Sequence, residues 1–192
     1  MLDAIPRFTA GSSVLVVIDI QARLLAKIPT ATTLVRNAAF LLDVAALLDV
    51  PIRATEQYPK GLGPTAPEIA KRLPTPVPAK TAFSCCGADG FLADLRALGR
   101  STVVLVGMET HVCVAQTTLD LLAAGYRVIL PVDALGTRFA VDHETALRRM
   151  ERAGAVTTTV EAIGFEWVGN SADPRFKSFT KLVVERSASQ GD

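Results

Sequence analysis

What is scarce in this sequence narrows its function before any motif does. Histidine occurs twice and cysteine three times in 192 residues. The cysteines, one adjacent pair and one distant, form neither a disulfide framework nor a CxxC zinc pattern, and they fit a reducing compartment. No stretch stays apolar for the roughly 18 residues that a membrane span needs. Met1 to Ser13 carries Asp3 and Pro6 and has no apolar signal core. The expected location is cytoplasmic, with no membrane partner. An excess of one charge is missing too, because 20 Lys and Arg stand against 19 Asp and Glu, a net charge of +1. That balance offers no footprint for nucleic acid. Ile20-Gln21-Ala22-Arg23, after the first apolar run, holds neither Gly-x-Gly-x-x-Gly nor a Walker A lysine. Nothing there cradles a nucleotide phosphate, and no cofactor is expected. No Gly/Ser/Pro-rich linker divides the chain, so residues 1–192 read as one domain.

What is present is apolar and regularly alternating. An apolar fraction of 49% suits a sheet buried on both faces. Val14 to Ile18 is a continuous β-branched run and reads as a central strand. A crossover helix follows over Thr30 to Val50, then a short strand over Pro51 to Thr55 and a Gly/Pro-dense loop from Glu56 to Pro64. Pro74 to Pro78 is extended by its prolines. A helix is expected from Ala88 to Leu98, strands over Thr102 to Val106, Tyr126 to Val132 and Ala155 to Val160, and helices over Ala115 to Ala124, from Val141 or Asp142 to Ala153, and over Pro174 to Arg186. The tail from Ser187 to Asp192 reads as frayed. Strand and helix alternate without an internal repeat, which gives a three-layer α/β/α sandwich with a mostly parallel central sheet and Rossmann-like topology.

Gly107-Met108-Glu109-Thr110-His111-Val112-Cys113 carries a buried strand through a tight turn to the start of a helix. Unpaired N–H groups and the positive helix end there favour a thiolate at Cys113, and the N–H groups of Val112 and Cys113 are candidates for an oxyanion hole. On position alone Cys113 reads equally as a small buried hydrophobe. Asp19 ends the first strand, so it shares the carboxyl edge of the sheet with Cys113. It can accept the thiol proton; a helix cap or turn former is the plainer reading of an Asp there. Lys80, if it stands beside both, favours the thiolate and a developing negative charge. A lone lysine is more often a solvated surface cation. A Cys–His dyad is disfavoured, because His111 and Cys113 at i and i+2 of a helix point apart. Cys85 and Cys86 read as packing residues.

Three segments then carry a resemblance: Val17-Ile18-Asp19-Ile20-Gln21, Lys80-Thr81-Ala82-Phe83-Ser84, and Gly107 to Val114. In this order and spacing, over roughly residues 12 to 165, the sequence resembles the isochorismatase-like cysteine hydrolase superfamily. The loop Thr55-Glu56-Gln57-Tyr58-Pro59-Lys60-Gly61-Leu62-Gly63 is similar to the small isochorismatase-domain-containing hydrolases. The resemblance implies a catalytic triad of Asp19, Lys80 and Cys113 and a non-proline cis peptide at Met108–Glu109. Nicotinamidases of the superfamily carry metal-binding histidines near this loop; here Glu56, Gln57 and Tyr58 stand in their place, so no metal is expected. Gln21, Gln57, Tyr58, Phe83, Glu109 and His111 are the candidates for the substrate pocket. The expected activity is metal-independent hydrolysis of a small amide or related C–N bond through a Cys113 thioester. Non-covalent isochorismatase-type hydrolysis and a non-catalytic small-molecule-binding or redox-sensing protein are the alternatives. A small-molecule substrate and a homo-oligomer are the expected partners. The C-terminal apolar set Phe176, Phe179, Leu182 and Val183 is read either as an interface or as packing on its own domain.

Overall fold

The structure is a computed structural model that describes residues 7–188. Met1 to Pro6 and residues 189–192, including most of the tail read as frayed, lie outside the described residues. Strands β1 (Ser13–Ile18), β2 (Ile52–Gln57), β3 (Ala79–Lys80), β4 (Thr102–Met108), β5 (Arg127–Pro131), β6 (Leu135–Gly136) and β7 (Val156–Thr158) form one seven-stranded sheet. Its order is β3-β2-β1-β4-β5-β7, with β6 beside the end of β4, and every ladder is parallel. The helices in chain order are α1 (Ala22–Leu25), α2 (Ala31–Leu47), α3 (Pro59–Leu62), α4 (Pro67–Ala70), α5 (Phe91–Ala97), α6 (Ala115–Ala123), α7 (Ala140–Arg152), α8 (Val160–Val168) and α9 (Phe176–Ala188).

The period-two direction of strand side chains builds the three layers. Leu15, Val17, Val104, Val106 and Ile129 face one core, which Leu34, Ala38 and Leu41 of α2, Ile163 and Trp167 of α8 and Phe179 of α9 complete. Val14, Val16, Ile18, Val103, Leu105 and Val128 face a second core, closed by Leu95 of α5, Leu121 of α6 and Met150 of α7. Apolar residues on both strand faces thus become apolar cores on both sheet faces. No helix among the described residues is long and apolar enough to cross a membrane.

Several boundaries differ from the sequence reading. Strand β2 runs two residues past Thr55 because Glu56 and Gln57 pair with Ala79 and Lys80. Helix α5 starts at Phe91, not Ala88, after Gly90 takes φ +76°. Helix α8 was not expected. The strand before it stops at Thr158, and the Thr159 hydroxyl accepts from the Ala162 N–H to start the helix. Of the two readings of the C-terminal apolar set, packing on its own domain holds. Phe179 is fully buried edge-on to Phe165 at 4.9 Å, and Phe176, Leu182 and Val183 pack against the same core. Arg186 then ties α9 to Asp133 at 3.2 Å and to Glu161 at 2.7 Å.

Gly107 sets the spacing of the two strands that deliver the site. It adopts φ +128° opposite Ile18, and a Cβ on it would stand 2.0 Å from the Ile18 carbonyl oxygen. Gly107→Ala should therefore lower stability by about 2 kcal/mol or more, as backbone strain and overpacking add. Urea unfolding at neutral pH measures this; an unchanged midpoint would refute the close approach.

Candidate active site

Parallel strands end on one edge, and the side chains just beyond β1, β2, β3 and β4 meet there. Asp19 follows β1 in the left-handed region, at φ +52°. Lys80 closes β3, which β2 holds in register. After β4 the chain passes the cis Met108–Glu109 peptide into a π turn, Thr110–Val114, directly before α6. Cys113 lies in that wider turn, packed in the second core.

Lys80 Nζ donates to Asp19 Oδ2 at 2.7 Å, and both side chains are wholly buried. The same ammonium has Gln57 Oε1 at 2.7 Å, the Phe83 carbonyl at 3.0 Å and the Ala82 carbonyl at 3.3 Å. Four acceptors surround three donors, so Lys80 has no hydrogen left for a substrate. It acts as a fixed charge. Thr55 donates to Asp19 Oδ1 at 2.9 Å, and the Cys113 thiol is near enough to the carboxylate that each acts on the other's ionisation.

Burial raises the Asp19 carboxyl above its ordinary value; Lys80, by charge and hydrogen bond, leads the effects that pull it down. The Cys113 thiol is pushed up to about 12, first by burial and then by the Asp19 charge, against the opposing charge of Lys80. This corrects the expectation that the helix start and Lys80 favour a resting thiolate. At rest the site holds a thiol beside a carboxylate. Moving the proton from sulfur to Asp19 leaves the net charge of the cluster unchanged, so the nucleophile can form without a charge entering or leaving this buried place.

The residues proposed for the pocket divide into three groups. Gln21 and Gln57 are braces. The Gln21 side chain accepts from the Gln57 N–H at 2.8 Å and donates to its carbonyl at 3.1 Å, while Gln57 Nε2 donates to the Thr81 carbonyl at 2.9 Å. Their amides are committed to holding β2, β3 and Lys80. Tyr58 and Phe83 are half exposed, at 54% and 53%, beyond the ends of β2 and β3. Glu109 and His111 belong to a separate polar cluster. Thr137 donates to Glu109 Oε2 at 3.0 Å, and Arg138 Nε donates to the same oxygen at 3.1 Å. The Thr137 hydroxyl has then given its hydrogen, so His111 Nδ1, 2.9 Å away, is the donor to it. That nitrogen is not a base for Cys113. The Val112 N–H, a candidate oxyanion donor, already donates to the Glu109 carbonyl at 3.0 Å; an oxyanion would have to displace that oxygen.

Sequence reasoning missed Thr55, Thr137 and Arg138, and it placed Cys85 only as packing. Cys85 is buried with its sulfur 3.4 Å from Thr55 Oγ1. The available signal for Thr55 was strand register: it pairs with Ile18, the neighbour of Asp19. Among the described residues no group of three or more His, Cys, Asp and Glu side chains converges as a metal site.

Comparison with known proteins agrees with this architecture. The isochorismatase domain matches residues 13–162. Human isochorismatase domain-containing protein 2 is 42% identical over 185 residues, covering 96% of this chain and 89% of the relative. A solved structure described as MAR1 ribonuclease from Caenorhabditis elegans is 39% identical, covers 93% of each chain and superposes with a TM-score of 0.88. The YcaC gene product of Escherichia coli, described as an octameric hydrolase of unknown specificity, shares the fold at 22% identity, with a TM-score of 0.84 over 97% of this chain and 99% of that one. With the domain matched across its core and a relative this similar over nearly the whole length, the chain belongs to the isochorismatase family of hydrolases.

Proposed function

We propose that this protein hydrolyses a small amide or related C–N bond through a thioester on Cys113, without a metal ion. The observation that carries the reading is the buried ion pair of Asp19 and Lys80, with the Cys113 thiol so near that carboxylate that the Asp19 charge acts on its ionisation. Asp19 takes the thiol proton as sulfur attacks the carbonyl carbon. The tetrahedral oxyanion collapses, the C–N bond breaks, and Asp19 returns the proton to the departing nitrogen. Water, giving a proton to Asp19, then attacks the thioester, and sulfur leaves with that proton. Lys80 stays protonated throughout and keeps the carboxylate close to charged. The substrate-facing residues of this reading are Tyr58, Phe83, Glu109 and His111.

Homo-oligomerisation is part of the proposal. Tyr58, Phe83, Phe139 and Val141 are large, exposed and apolar, and all follow strands at the carboxyl edge. Such a set supports an interface near the site.

The ribonuclease description of the Caenorhabditis elegans structure supplies the rival activity. The near-neutral charge balance of this chain speaks for a small substrate instead. The deciding experiment incubates the wild type and Cys113→Ala with a panel of small amides and, separately, with RNA. Acid quenching and intact-mass measurement are expected to show an acyl adduct on the wild type, absent from Cys113→Ala, together with Cys113-dependent ammonia or amine release. RNA cleavage that survives Cys113→Ala, with no adduct from any amide, would overturn the proposal.

A further inference from the structure

Thr55 stands inside the site although no step of the reaction above uses it. Its backbone pairs with Ile18 in the β1–β2 ladder, which sets its side chain beside Asp19. The hydroxyl lies 2.9 Å from Asp19 Oδ1 and 3.4 Å from Cys85 Sγ, and all three residues are buried. An ionised carboxylate only accepts, so the single hydroxyl hydrogen goes to Asp19. The Cys85 thiol is then the donor to Thr55 Oγ1. A line of donors runs from Cys85 through Thr55 to the carboxylate. Lys80, the other partner of Asp19, can only donate. Thr55 can do both. If Asp19 becomes an acid on that oxygen, the hydroxyl can turn, accept from it and give its own hydrogen to the Cys85 sulfur.

Resting on the reading of Asp19 as the base for Cys113, we propose that Thr55, backed by Cys85, is a positioning residue that stabilises the charged Asp19 carboxylate and reverses its hydrogen bond when Asp19 takes the thiol proton. This gives Cys85, a buried thiol without a place in the reaction, a defined task. It also explains a hydroxyl at a position where an apolar β-branched residue would pack equally well. The groups facing Asp19 are Lys80 from β3, Thr55 from β2 and Cys113 from the turn after β4, with Cys85 behind Thr55. A hydrogen bond to the charged form favours that form, so removing the hydroxyl moves the ionisation of Asp19 upward.

The test follows Cys113 alkylation by iodoacetamide, resolved from Cys85 and Cys86 by peptide mass mapping, between about pH 4 and pH 9. It compares the wild type with Thr55→Val, Thr55→Ser, Cys85→Ala and Asp19→Asn. Thr55→Val is expected to move the acid limb up by about one pH unit, and so to slow alkylation roughly tenfold at a given pH on that limb. Thr55→Ser should restore both, and Cys85→Ala should give a smaller shift of the same sign. The proposal is overturned if the Thr55→Val profile superimposes on the wild type, or if Thr55→Ser is as impaired as Thr55→Val with both merely melting lower. If Asp19→Asn itself leaves alkylation unchanged, the base reading fails along with this one, and the two failures are told apart.

Discussion

Lys80→Met is expected to lower folding stability by about 3–5 kcal/mol, the cost of removing one partner from a buried ion pair. Methionine matches the stem of the side chain, so little of the loss comes from volume. What is lost is the hydrogen bonding. Asp19 Oδ2, Gln57 Oε1 and the Phe83 carbonyl, at 2.7, 2.7 and 3.0 Å from Nζ, all lose their donor inside a buried site. Asp19 has one escape: it can bind a proton and become neutral, which limits the damage. That escape also disables it as a base, so Cys113 reactivity should fall together with stability. Urea denaturation, paired with Cys113 alkylation rates, measures both. The double variant Lys80→Met/Asp19→Asn should regain part of the stability and none of the reactivity. A loss in the double variant equal to the sum of the two single losses would show that the two groups are not coupled.

Asp19→Asn is expected to slow Cys113 chemistry by about 10²–10⁴-fold, the usual contribution of a general base. The substitution keeps the shape of the side chain. Its amide oxygen can accept from Lys80, and its NH₂ can face a Thr55 hydroxyl turned towards Cys85. What disappears is the proton acceptor for a thiol whose ordinary ionisation has been pushed up to about 12. The sign of the pH effect follows. Asp19, raised by burial, works as a base only above its own ionisation, so the wild-type rate falls as pH drops through that point. In Asp19→Asn this acid limb should vanish, leaving only the rise towards alkaline pH as thiolate forms unaided. An acid limb that persists in the variant would assign the titration to another group. Near-UV circular dichroism of the variant separates a lost base from a lost fold.

The layered architecture was legible because it depends on patterns the sequence displays directly. Val14 to Ile18 and Val103 to Val106 are apolar at every position, as a strand buried on both faces requires. Asp19 and Cys113 were placed on one edge by the same logic. Lys80 was harder, since its surroundings come from residues 57, 82 and 83 and from a strand of two residues. Neither periodicity nor composition displays such a neighbourhood; resemblance to a family supplied it. The missed helix Val160–Val168 is apolar along most of its length, and such a short run reads as strand or helix equally well. The ionisation of Cys113 was misread for a physical reason. A helix start and a cation pull a thiol down, but burial beside a carboxylate pushes it up, and burial is a property of the whole fold.

The rims of the sheet bear on how copies of the chain can meet. One rim is β3, two residues long, and the other is β7, three residues long. Pro74, Pro76 and Pro78 come directly before β3 and carry no N–H, so a strand laid along that rim would find few donors. Self-association by extending the ladder, the route to fibres, is therefore poorly supported at either end. Copies that associate through the exposed Tyr58, Phe83, Phe139 and Val141 would meet by side-chain complementarity instead, which favours a closed, countable assembly over an open-ended one.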